Sequence, residues 1–290
     1  MVCVATDFQS VGDLQIRDAP VTRLRTTHPK MQKQQRLFHL ALLLCLVVVV
    51  SLAFNALLFR QARHYYLLLN KTNLDPLGLG TFSADSLTDG VPAASTATVV
   101  FFGDSRAEMW PAPATLKSFS FINRGISSQT SAQILGRFDN HVVPLQPNII
   151  IVQVGINDLK TIPLFPERKA AIINNCKANI QQIVARSVNS GATVILTTIF
   201  PIGPVPLTRQ PFWSPDIAQA VSEVNAYLYS LKAKDVLILD AYSLLAHNGQ
   251  VQSNYVRDTL HLNERGYNAL NQELTHVLST WLTDKSLKGK

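Results

Sequence analysis

Thr98-Val99-Val100-Phe101-Phe102-Gly103-Asp104-Ser105 is where the chain declares its architecture. Five β-branched and aromatic residues in a row describe a strand buried on both faces. Gly-Asp-Ser after it is turn chemistry. Comparable apolar runs follow at Phe119–Asn123, Asn148–Val154, Thr193–Ile199 and Val236–Leu239. Segments of helical character separate them. The clearest is Glu167–Ser190, with Ile172, Ile173, Cys176, Ile180, Ile183 and Val184 at helical spacing. Asp216–Ala233 and Asn263–Thr283 are two more. Near-continuous apolar strands alternating with helices predict an α/β fold, a mainly parallel five-stranded sheet covered on both faces in three α/β/α layers. In such sheets ligands bind beyond the carboxyl ends of the strands. Ser105, the segment Asn123–Ser131 and Gly155–Asp158 each follow a strand and are expected on that edge.

Upstream of this region, Leu37–Phe59 contains no Asp, Glu, Lys or Arg. Its 23 residues exceed the roughly 20 needed to cross a bilayer core. The run is longer than a cleaved signal's apolar region and follows a polar tail of 36 residues, which favours an uncleaved signal anchor. Arg23, Arg25, Lys30, Lys33 and Arg36 precede the span, while Arg60, Arg63 and Lys71 follow it. That bias predicts a cytosolic N-terminus and a periplasmic or extracellular C-terminal domain. The expected organisation is a tail at 1–36, a transmembrane anchor at 37–59, a linker at 60–96, the α/β domain at 97–284 and a short tail at 285–290.

The net charge of +7 is carried largely by the membrane flanks: residues 1–75 hold nine Lys/Arg against four Asp/Glu, and the rest seventeen against fifteen. No basic stripe argues for nucleic acid as a partner. Of the cysteines Cys3, Cys45 and Cys176, a single one falls in the domain, where it reads as a small buried apolar residue. No Cys/His cluster has zinc spacing, and no metal or organic cofactor is expected.

A serine is a poor nucleophile until a base takes its proton. His261 is the best base for Ser105, and Asp258, three residues earlier, can orient its imidazole and stabilise its charged form. Asn263 reads as the N-cap of the last helix, fixing that loop. An acyl-transfer centre also needs donors for a developing oxyanion. Asn157 can aim an amide at the site, and the segment Asn123–Ser131 can offer backbone N–H groups. Asp104 and Asp158 read as acids that organise their own turns. Arg106 and Arg124 read as solvated cations, with attraction of an anionic substrate as the alternative. The Pro-rich stretch Pro201–Pro215, carrying Phe212 and Trp213, is expected on the active edge.

Four blocks stand in order along the chain: Gly103-Asp104-Ser105; Asn123, Gly125 and Ser127; Gly155-Ile156-Asn157-Asp158; and Asp258-Thr259-Leu260-His261-Leu262. Together they resemble the SGNH hydrolases, also called the GDSL esterase/lipase family, over about Val99–Leu282. The pattern is nearest to small flavodoxin-like members such as platelet-activating-factor acetylhydrolase subunits and the thioesterase/lysophospholipase enzymes. The resemblance implies a carboxylic ester hydrolase with Ser105 as nucleophile, His261 as base and Asp258 as its partner. It implies an oxyanion hole from the Ser105 N–H, the Asn157 side chain and an N–H of the second block. There the chain departs from the pattern, because the family's glycine often falls where Ser128 stands. The second-block donor is therefore Ser128 or, as the alternative, Gly125. The reading is a membrane-anchored extracytoplasmic serine esterase acting on a lipid, an acylated glycan or a small ester. Its alternatives are an O-acyltransferase acting on an envelope glycan and an idle domain that binds glycan or lipid.

Overall fold

A computed structural model describes residues 29–82 and 96–288. The expected tail up to residue 28, the linker residues 83–95 and the last two residues lie outside the described residues. The chain divides into two compact units, Met1–Leu67 and Leu68–Lys290.

The first unit is dominated by helix α1, Pro29–Leu74, which continues past the unit's end. Its stretch from Leu37 to Phe59 leaves its apolar side chains exposed. It is long and apolar enough to cross a membrane.

The second unit carries β1 (Ala97–Gly103), α2 (Ser105–Glu108), β2 (Phe119–Gly125), α3 (Ser131–Gly136), α4 (Phe138–His141), β3 (Ile149–Gln153) and α5 (Ile156–Leu159). It continues with α6 (Lys169–Asn189), β4 (Thr193–Thr197), α7 (Asp216–Ser230), β5 (Val236–Leu239), α8 (Ala241–Leu245), the short hairpin β6 (Ala246–His247) and β7 (Gln250–Val251), and α9 (Glu264–Lys288). The five long strands form one parallel sheet in the order β2-β1-β3-β4-β5. The expected α/β fold is therefore present, with strand ends displaced by one or two residues.

The period of two along each strand sorts the core into two layers. Val100, Phe102, Ile150, Val152, Val194 and Leu196 face a cluster that includes Ile180, Ile183, Val221 and Val224 of α6 and α7. Val99, Phe101, Ile149, Ile151 and Ile195 face the opposite cluster, with Leu270, Leu274 and Leu278 of α9. Each layer removes several large side chains from water, at roughly 1.5–3 kcal/mol each. The chain leaves β1 toward β2 and returns to β3 on the other side, so the crevice between β1 and β3 is the topological switch point. Ser105 and Asn157 follow those two strands.

Candidate active site

Ser105 opens α2, whose N-cap is Asp104; the Asp104 carboxylate accepts the Arg106 N–H at 2.9 Å. The four-residue helix begins at Ser105, directly beyond the carboxyl end of β1. The Ser105 Oγ lies 2.9 Å from Nε2 of His261. On the other side of the ring, Nδ1 lies 2.8 Å from Asp258 Oδ2 and 3.0 Å from Oδ1. A carboxylate only accepts, so Nδ1 must carry the proton, and Nε2 is left to accept the Ser105 hydroxyl. Asp258 Oδ1 also accepts the N–H of Leu260 at 2.8 Å and of His261 at 3.1 Å. Partial burial raises the affinity of this carboxyl for a proton, yet these N–H groups and the imidazole together hold it below the usual carboxylate range. The pair stays partly open: the side chains of His261 and Asp258 are 21% and 45% exposed.

The loop carrying that pair is pinned from several directions. Gly203 N–H donates to the Thr259 carbonyl at 2.8 Å, and the Thr259 hydroxyl to the Pro204 carbonyl at 2.9 Å. Asn263 caps α9 through the Gly266 N–H, and its amide donates to the carbonyl of Asn254. Arg106 corrects the sequence expectation, being buried rather than solvated. Its Nε donates to the Leu260 carbonyl at 2.8 Å and its Nη1 to the Phe200 carbonyl at 3.2 Å, with the guanidinium over the Phe200 ring. Burial lowers its pKa to about 10, so it remains a cation at neutral pH. One residue beyond the serine, it ties the serine's helix to the histidine's loop.

On the opposite flank, Ser128 adopts φ +67°, a left-handed conformation that costs a residue with a side chain roughly 1–2 kcal/mol. It is the conformation that a glycine adopts without that cost. The alternative donor, Gly125, is already committed: its N–H donates to Asn123 Oδ1 at 2.8 Å. A Cβ there would lie 2.2 Å from the Glu108 nitrogen, so Gly125 is required for close packing on α2. Asn157 is buried and donates from Nδ2 to the Gln129 carbonyl at 3.0 Å, which leaves its second amide hydrogen available.

Gln129 anchors this loop. Its Oε1 accepts Arg137 Nε at 2.5 Å, and its Nε2 donates to the Leu77 carbonyl at 2.7 Å. Arg137 also donates to the Gly103 carbonyl at 2.9 Å and lies over the Phe102 ring. Arg124, likewise buried instead of solvated, lies over the Phe82 ring at 4.5 Å. Residues 75–82, expected as linker, thus form a strap against the second block. Asp75 shapes it by accepting the N–H groups of Leu79 and Gly80, and the Pro76 carbonyl accepts from Gln133.

The two other acids also carry structure. Desolvation raises the Asp104 pKa to about 6 despite the nearby Arg106. Its stabilising contribution is therefore full at acid pH below the usual carboxylate range and lost as pH rises through about 6. Asp158 does more than shape its own turn: it accepts the Ser131 N–H at 2.8 Å and the Ser131 hydroxyl at 2.6 Å, joining the third block to the start of α3.

A family model of GDSL-like lipases/acylhydrolases matches residues 85–269. The chain belongs to this family. It is a carboxylic ester hydrolase of the GDSL type. Among solved structures, an acylhydrolase candidate from Bacteroides fragilis is 25% identical with a TM-score of 0.53, covering 66% of this chain and 90% of its own. A GDSL-like lipase from Bacteroides thetaiotaomicron is 22% identical with a TM-score of 0.56, covering 70% and 98%. A candidate platelet activating factor from Streptococcus pneumonia is 21% identical with a TM-score of 0.59, covering 75% and 99%. The latter two likenesses concern the fold. No curated protein matches in sequence. In this GDSL chain the residues that sequence reasoning missed are Gln129, Arg137 and the strap. A polar residue beside a family block was their only signal, and the acceptors they reach are distant in sequence.

Proposed function

We propose that the chain is a membrane-anchored, extracytoplasmic serine esterase working through Ser105, His261 and Asp258. The observation that carries this reading is the continuous path from Ser105 Oγ through His261 to Asp258, with contacts of 2.9 and 2.8 Å. Ser105 Oγ attacks the acyl carbonyl while His261 Nε2 takes its proton, and Asp258 stabilises the resulting imidazolium. The carbonyl oxygen becomes an oxyanion held by the Ser105 N–H, the Ser128 N–H and Asn157 Nδ2. Collapse breaks the ester C–O bond, and the imidazolium gives its proton to the departing alcohol. Water, deprotonated by His261, then releases the acid and restores Ser105. The committed N–H of Gly125 favours Ser128 as the second-block donor, and the second amide hydrogen of Asn157 is available beside it.

Anchoring through residues 37–59 rests on the apolar length of α1, and the outward orientation on five cations before the span against three after it. Ser105→Ala in the full chain tests the chemistry: ester hydrolysis should fall to background while the thermal transition is retained. Activity surviving in the purified variant would overturn it.

A further inference from the structure

After β4, the Pro-rich segment Pro201–Pro215 folds against the residues that follow α5. Between them lies a cleft of about 270 Å³, lined by Lys160, Leu164, Arg209, Phe212, Trp213 and Leu260. It adjoins the reaction centre by connectivity. Leu260 immediately precedes His261 and is held by Arg106, and Lys160 stands three residues after Asn157.

Two cations converge on this cleft. Lys160 is half-buried and Arg209 exposed. Among the described residues neither makes an ion pair. Desolvation lowers the Lys160 pKa, and the charges of Arg209 and Arg106 push the same way; Asp104 and Asp158 oppose them. Asp158 is turned to Ser131 and Asp104 Oδ1 to the Arg106 N–H, and neither carboxylate forms an ion pair with Lys160 among the described residues; Asp104 Oδ2 is buried without a hydrogen bond. Like charges gathered beside a partly desolvated ammonium are relieved by an anion that bridges them. Beside them Leu164 and Phe212 are 53% and 61% exposed, an apolar surface for a short hydrocarbon segment.

We propose that this cleft is a subsite for an anionic group on the substrate, so that the preferred ester carries a carboxylate or phosphate a few carbons from the scissile bond. Lys160 and Arg209 hold the anion, and Phe212 and Trp213 pack the carbons between it and the carbonyl. The inference rests on the esterase reading above and names its substrate class.

Matched esters test it on the full chain in a neutral detergent. 4-Nitrophenyl hexanoate is compared with mono-4-nitrophenyl adipate, which adds an acyl-side carboxylate. Ethyl hexanoate is compared with 2-phosphonooxyethyl hexanoate, which adds an alcohol-side phosphate. At least one anionic ester should show about tenfold higher kcat/KM than its neutral partner, as a single charge-assisted contact allows. The preference should shrink as salt rises from about 20 to about 500 mM. The anionic-to-neutral ratio should collapse toward one in Lys160→Gln and in Arg209→Glu. Arg209 lies on the surface, so its variant reads the ratio even where Lys160→Gln folds poorly. Parity in the parent protein, or a preference untouched by both substitutions, would overturn the subsite. The same esters given to Ser105→Ala separate the two claims: hydrolysis there defeats the esterase reading, whereas Ser105-dependent hydrolysis without anion preference defeats the subsite alone.

Discussion

On one flank of Ser105 the histidine loop is held at its base and open at its tip; on the other, the loop bearing Ser128 is locked by buried groups. Arg106, Thr259 and Asn263 fix the first from beneath, leaving Asp258 nearly half exposed at 45%. Gln129 and Arg137, both buried, fix the second to β1 and to the strap. The chemistry explains the difference. In the proposed mechanism the imidazole exchanges protons with alcohol and water, which its accessible surroundings permit. In the proposed mechanism oxyanion donors act by being preorganised, and the buried Gln129 and Arg137 hold the exposed Ser128 from beneath.

Breaking the open flank should cost most. His261→Ala removes the proton acceptor and should lower kcat by about 10³–10⁶, measured against the same ester under saturating conditions. Removing a donor from the locked flank comes next. Asn157→Ala should lower kcat about 10²–10³-fold with a smaller change in KM; a pure KM effect would mean that Asn157 binds substrate instead of its transition state. Gln129→Ala leaves the Leu77 carbonyl and Arg137 Nε without their partner, at a cost of about 1–3 kcal/mol of stability. Its kcat should fall less than in Asn157→Ala, with the change confined to kcat because the variant loosens Ser128 without touching substrate. The smallest effect belongs to Ser128→Gly. It keeps the N–H and relieves the left-handed strain, so the thermal transition should rise by a few degrees, in keeping with about 1 kcal/mol. A fall in stability there would contradict the strain argument.

The same contrast describes how far the sequence could be read. The central strands β1, β3 and β4 were visible because they are buried on both faces and so are largely apolar, as in Ile149–Gln153, and the edge strands β2 and β5 because each still carries a short apolar run. Ser105, Asp258 and His261 were visible as local patterns, and the structure brings them together. Arg106 and Arg124 were misread because Arg is seldom buried, and nothing in the sequence displays the carbonyls and rings that receive it. The strap was read as linker because Gly78, Gly80 and Pro76 favour turns, whether or not those turns dock. Its docking depends on carbonyl oxygens of Pro76 and Leu77, and a carbonyl has no residue identity to read.

The proposed mechanism requires the acyl group to pass through Ser105. Acid-quenching the full chain during turnover of a slowly deacylated 4-nitrophenyl ester, then locating the adduct by peptide mass spectrometry, tests that step directly. The acyl mass should sit on the peptide containing Ser105 and accumulate in a burst stoichiometric with enzyme. Turnover with no adduct at Ser105, or an adduct on another side chain that survives Ser105→Ala, would contradict it.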